Sequence, residues 1–192
     1  MVCWSNFIRN LDSFSELLRR ELGIPVFQVD GRVPAADDTL QNREEGDVAE
    51  DDTREQRIDH FLSVNGPAAL VTNPATSSES ISLHRACHNA IYLDRTYDAA
   101  LFFQSIDRIH RLGLPDDAEV TIHILQATIG SDDTIDHLVD ASLLSKQVAM
   151  EELLGGAEIH PLHQDAADPE GSPADLELLI RYLVGEEVDD EL

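Results

Sequence analysis

The sequence predicts an α/β fold: a mostly parallel central sheet flanked by helices, in three layers. Two observations carry this. Short apolar runs at 26–29, 68–72, 91–94 and 120–127 alternate with segments of helical spacing, the pattern of βαβ units whose parallel strands are buried on both faces. With 192 residues and 42% hydrophobic content, the chain suits one domain able to bury a sound core. No run reaches the roughly 18 apolar residues of a membrane span, and no basic stretch followed by an apolar core opens the chain. A cytoplasmic location is expected. Two cysteines, Cys3 and Cys87, do not make a disulfide framework.

Residues 2–7 read as the first strand. Leu11, Phe14, Leu17, Leu18 and Leu22 then fall at helical spacing, and Gly23 is a natural stop. After the strand 26–29, residues 34–53 are polar, acidic and aperiodic, which marks a surface loop, read as an insertion. A helix is expected over 54–61, a buried strand over 68–72 closed by Asn73-Pro74, and another strand over 91–94. Residues 98–112 read as one helix, stopped by Gly113 and Pro115. The strand 120–127 follows. Asp133 is placed as the N-cap of a helix with Ile135, Leu138, Val148 and Leu153 on its apolar stripe, ended by Gly155-Gly156. The domain so defined occupies 1–156. Residues 157–171 read as a linker. Residues 172–192 read as a short amphipathic helix, with Leu176, Leu179, Ile180, Leu183 and Val184 on one stripe, and an acidic tail.

The charge balance is extreme: 38 acidic against 13 basic residues, net −25, with Lys146 as the single lysine. A nucleic-acid-binding surface normally shows a basic footprint, so this balance opposes such contact at low salt. At molar salt the Debye length falls to about 3 Å and self-repulsion is screened. The composition therefore points to a halophilic protein. A mesophilic acidic protein that binds basic partners is the competing account.

The segment 104–113, Gln-Ser-Ile-Asp-Arg-Ile-His-Arg-Leu-Gly, holds the most specific chemistry. On a helix, Arg108 and Arg111 would be neighbours on one face with Gln104 a turn upstream. Arginine's planar, permanently charged fork suits phosphate recognition, and two aimed at one γ-phosphate would stabilise charge developing in phosphoryl transfer. Spacing alone does not separate this from two arginines on a solvated face; the order of the surrounding segments does. The segment resembles motif VI of superfamily 2 helicases in the form typical of Swi/Snf-type DNA translocases. Residues 2–7 (Val-Cys-Trp-Ser-Asn-Phe) resemble motif IV, which opens the second RecA-like lobe. Residues 26–31, ending in Asp-Gly, fit the next family strand and turn, and 54–61 the helix after it. Residues 69–83 stand where motif V belongs. Residues 90–94 lead into motif VI, and 120–146 resemble the closing strand and helix. The variant string from Glu79 to Arg95 resembles a prokaryotic branch of the family, with Ser80 where a last glycine is usual, which leaves the atomic roles in that loop open.

This resemblance implies a RecA-like C-terminal lobe in which Arg108 and Arg111 act on ATP, while Gln104 and Ser80 assist nucleotide binding. It also implies that turns around Ser5-Asn6, Gly31-Arg32 and Thr72-Asn73 track the phosphates of duplex DNA. The phosphate loop Gly-x-x-x-x-Gly-Lys-Ser/Thr and the acidic pair that holds magnesium do not occur in the sequence. They belong to the first lobe, so a partner lobe is expected to supply them. Because Met1 falls almost at the motif IV strand, the chain reads as a separated second lobe: a split-gene product, a truncated remnant or a fragment. Alone it is not expected to hydrolyse ATP. A non-catalytic relic serving as an interaction or regulatory module is the competing reading. His84, Cys87 and His88 have spacings that would place three donors on one helical face, which zinc accepts. With no fourth ligand close, the expectation is no metal, and the same holds for His160 and His163.

Overall fold

In the computed structural model, residues 1–36, 53–76, 82–111, 114, 118–129 and 134–153 are described. They group into two compact units: Met1–Leu93 with Arg108–Leu125, and Asp94–Asp107 with the described residues from Gln126 on.

The first unit is built on five strands, β1 (Val2–Trp4), β2 (Val26–Val29), β3 (Ala69–Thr72), β4 (Asn89–Tyr92) and β5 (Thr121–Ile124), in the order β2-β3-β1-β4-β5. Every pairing is parallel. Helix α1 (Ile8–Leu22) joins β1 to β2, and α2 (Arg54–Ser63) precedes β3. The two helices lie on opposite faces, because successive side chains of a strand point to opposite sides. On β2, Phe27 meets Phe61 of α2 edge-on at 6.3 Å, whereas Gln28 donates to Asp12 of α1 at 2.7 Å. The expected three-layer α/β arrangement is therefore present, with a sheet that is wholly parallel.

The core follows from the same alternation. Cys3, Ala69 and Val71 face α1 and bury against Leu11 and Leu18. On the other side Trp4 stacks with Tyr92, ring centroids 6.2 Å apart. Burial pushes the Cys3 thiol up to about 12, so it packs as a small hydrophobe and is no nucleophile. Helix α1 stops where the sequence places the stop: Gly23 takes a left-handed φ of 61° and its N–H bonds to Arg19 O, a conformation that favours glycine. Helix α2 starts with a capping box. Thr53 Oγ accepts from Gln56 N, while the Gln56 side chain accepts from Thr53 N. Residues 37–52 of the acidic insertion lie outside the described residues, but its base is closed. Arg54 N donates to Pro34 O at 3.0 Å and Arg54 Nε donates to Val33 O at 2.6 Å.

The second unit contains α3 (Ala99–Asp107) and α4 (Ile135–Leu153). Arg95, with a side chain only 5% exposed, pairs with Asp140 at 2.6 Å and lies over the Phe102 ring. The single lysine is also used structurally, since Lys146 Nζ donates to Tyr97 O at 2.7 Å. Thr134 caps α4, its carbonyl accepting from His137 N and Leu138 N. Its hydroxyl donates to Ala127 O at 2.7 Å. The expected cap, Asp133, lies outside the described residues.

Three expectations are corrected. The helix expected over 98–112 ends at Asp107, because the Arg108 carbonyl accepts a hydrogen bond from Leu83 N at 2.9 Å, a tertiary partner in place of the next helical turn. The buried positions of α4 are Val139 and Leu143, whereas Ile135, Val148 and Leu153 are exposed. Residues 84–86 form a turn, so His84, Cys87 and His88 do not stack on a helical face. The expected linker 157–171 and helix 172–192 lie outside the described residues. Among the described residues no helix is long and apolar enough to cross a membrane.

Candidate nucleotide and nucleic-acid site

All five strands run the same way, so their carboxyl ends share one edge. In open α/β sheets ligands bind beyond that edge. The first unit brings most of the expected site residues there. Ser5 and Asn6 follow β1, Gly31 and Arg32 follow β2, and Thr72 and Asn73 close β3.

Hydrogen bonds join two of these pairs. Ser5 N donates to Thr72 O at 3.2 Å, and Asn73 Nδ2 donates to Asn6 O at 3.1 Å. The Asn73 carboxamide oxygen accepts from Ala75 N at 2.8 Å, and Thr76 Oγ1 donates to Asn73 O at 3.0 Å, so the turn after β3 is braced from within. A Cβ added at Gly31 would meet Thr76 Cγ2 at 4.0 Å, ordinary contact. The β2 and β3 turns are therefore neighbours, and Gly31 is not required there by backbone conformation.

Arg32 is not poised as an open cation. Its Nη2 contacts Asp12 at 2.6 Å and Asp30 at 2.8 Å, and its Nε donates to Asp30 at 2.9 Å. Gln28 Nε2 donates to both carboxylates. The Arg32 guanidinium holds the Asp30 carboxyl well below the usual carboxylate range, outweighing the burial that opposes it. Hydrogen bonds from Arg32 and Gln28 also lower Asp12. The Asp30 side chain is 2% exposed against 51% for Arg32, so the pair joins a buried anion to a half-solvated cation. Removing the cation leaves a buried carboxylate held, among the described residues, by Gln28 and the backbone N–H of residue 32. Arg32→Ala is expected to lower stability, read as a fall in denaturant midpoint, because it strands the buried Asp30 carboxylate. Asp30→Asn in the same background should recover part of it. An unmoved midpoint would show that this network does not hold the turn.

The two arginines of the 104–113 segment lie beyond the end of α3, in the first unit. Arg108 is buried, at 9% exposure, and next to it Ile109 is wholly buried. Arg111 is exposed, and its Nη1 donates to Ser82 Oγ at 2.9 Å, across 29 positions of sequence. The segment 82–83 is thus tied to 108–111 by one backbone and one side-chain bond. Gln104 lies on α3 in the second unit and is half-buried. Ser80 lies outside the described residues.

His84 is buried and its Nδ1 lacks a partner among the described residues. Burial lowers its pKa first, and the charges of Arg85, Arg111 and His88 add to that. The His88 ring nitrogen Nε2 lies 2.8 Å from His84 O, and Cys87 Sγ donates to Asn89 O at 3.1 Å. These side chains serve local backbone groups. Among the described residues no group of three or more His, Cys, Asp or Glu could hold a metal ion. Sequence reasoning missed Asp12, Asp30 and Ser82. The first two sit in a chain so rich in acids that no single carboxylate stands out. Ser82 had a signal, its place within the segment 69–83 that resembles motif V.

No protein-family model matches the chain, and no curated protein does. Among solved structures, it is similar to the C-terminal part of the Fun30 ATPase domain, at 19% identity and a TM-score of 0.49, covering 80% of this chain and 47% of that one. It is also similar to domain 2 of the DEAD-box helicase Mss116p, solved bound to an RNA duplex, at 12% identity and a TM-score of 0.44, covering 95% and 62%. The chain spans less than two thirds of the length of either structure.

Proposed function

We propose that this chain is the C-terminal lobe of an ATP-dependent DNA translocase or helicase of Swi/Snf type, working with a first lobe that carries the phosphate loop and magnesium. The observation that carries the reading is the tie between the motif V and motif VI segments. Leu83 N bonds to Arg108 O and Arg111 Nη1 bonds to Ser82 Oγ, each at 2.9 Å, while the Arg111 side chain remains exposed. A guanidinium so held can meet the γ-phosphate of ATP seated on another lobe and stabilise the charge of phosphoryl transfer. Gln104 and Ser80 would assist nucleotide binding. The turns carrying Ser5-Asn6, Gly31 and Thr72-Asn73 would meet phosphates of duplex DNA through backbone and amide groups. Arg32 would stiffen its turn. Opening and closing of the two lobes with ATP turnover would then advance the protein along DNA.

One observation favours a second reading, a non-catalytic interaction module derived from such a lobe. The cation on the β2 turn is matched by two carboxylates in a chain of net charge −25, which weakens any electrostatic footprint for nucleic acid.

The test is reconstitution. The 192-residue chain alone is expected to show no ATP turnover, having no phosphate loop in its sequence. Joined to a matching first lobe, it should give ATP hydrolysis that duplex DNA stimulates. Turnover by the chain alone, or joined lobes that DNA never stimulates, would overturn the proposal, the latter in favour of the interaction module.

A further inference from the structure

We infer that Ser82 is a positioning residue for the Arg111 guanidinium, an inference that rests on the proposed nucleotide role of Arg111. Because α3 ends at Asp107, no helical turn orients the Arg111 side chain. An exposed arginine outside regular structure has many rotamers, and a charge that must sit at one place in a transition state loses effect when it wanders. The contact with Ser82 Oγ supplies the missing restraint.

The post that carries this hydroxyl is fixed. Leu83, the next residue, is 1% exposed. Its N–H is bonded to Arg108 O, and its carbonyl accepts from Ala86 N and Cys87 N, each at 2.9 Å. Ser82 therefore stands on a hydrogen-bonded turn that is tied to the same strip of chain as the arginine it holds.

The chemistry of the partner matters as much as its place. A serine hydroxyl accepts from one N–H and leaves the cation's charge uncompensated, with other guanidinium N–H groups to face a phosphate. Arg32 shows the contrary arrangement in the same unit, its fork matched by Asp12 and Asp30. In a chain with 38 acidic residues, a neutral partner for Arg111 is the arrangement that keeps its charge available.

The test uses the chain joined to a first lobe, at a salt concentration where both parent and variants are folded. Ser82→Ala is expected to lower kcat about tenfold while KM for ATP changes less than about twofold. Ser82→Thr, which keeps the hydroxyl, should restore kcat. Ser82→Asp should lower kcat further than alanine, because a carboxylate neutralises the guanidinium. In an Arg111→Ala background Ser82→Ala should add nothing, since the group it positions is gone. If Arg111→Ala itself leaves kcat unchanged, the nucleotide reading falls and this inference with it. If Arg111→Ala lowers kcat but Ser82→Ala does not, or if the two effects simply multiply, the positioning role alone is overturned.

Discussion

Joined to a first lobe with a phosphate loop, the Arg111→Ala protein should turn over ATP on the order of 10³-fold more slowly than the parent. ATP affinity should change much less, because a cation aimed at developing charge acts mainly on the transition state. Arg111 is the cleaner of the two tests. Its side chain is exposed and bonds to a serine hydroxyl, so truncation should cost little stability. Arg108 is buried, and Arg108→Ala should lower both kcat and the melting temperature. A lysine at 111 should recover only part of the rate, since an ammonium keeps the charge but not the planar fork. Steady-state kinetics with saturating DNA, set beside a melting curve for each variant, separates these effects. Near-normal kcat in both alanine variants would leave the motif VI reading without its chemistry.

Much of the fold was legible because local signals and tertiary structure agree. The run at 26–29 is β2 residue for residue, bounded by the Gly23 stop and by Asp30-Gly31. Helix α1 ends at the glycine that the sequence marks. What could not be read depends on contacts between distant segments. Apolar spacing continues through Ile109 and Leu112, so periodicity extends α3 past Asp107. Nothing local reveals that Leu83 N claims the Arg108 carbonyl. The Arg32 network likewise joins α1 to the β2 turn across 20 positions, and nothing local in the sequence reveals that Arg32 pairs with Asp12 and Asp30. The stripe on α4 was misplaced by a related cause. Its sequence is apolar over more than one face, and packing selects Val139 and Leu143. At the candidate site, sequence points to the carboxyl-edge turns and the two arginines, whereas the partner that holds Arg111, 29 positions away, emerges only from the fold.

The fold should depend steeply on salt: expanded or molten near 0.1 M and compact above about 1 M, as the screening length falls from roughly 10 Å to 3 Å. The cause is the net charge of −25 with a single lysine, which opposes compaction until counterions screen it. Salt also acts the other way at specific contacts. The Arg32–Asp12 pair, about half exposed on both sides, should weaken, but an exposed pair contributes little to stability, so screening of the whole charge wins. The insertion 34–53 offers a direct handle. Its base is closed by bonds from Arg54 to Pro34 O and Val33 O, so changes inside it leave the closing contacts intact. Converting Asp37, Asp38, Glu44, Glu45, Asp51 and Asp52 to their amides should move the folding midpoint to lower salt without altering the packing around Leu11, Val71 and Trp4. Divalent cations bridging carboxylates would imitate this, so the titration is run with a chelator and followed by circular dichroism. A chain that melts at the same temperature in about 0.1 M and about 2 M potassium chloride, a range over which screening changes severalfold, rules out the halophilic account. Its acidity would then have to be matched by a basic partner, and added polycation should raise the melting temperature where salt does not.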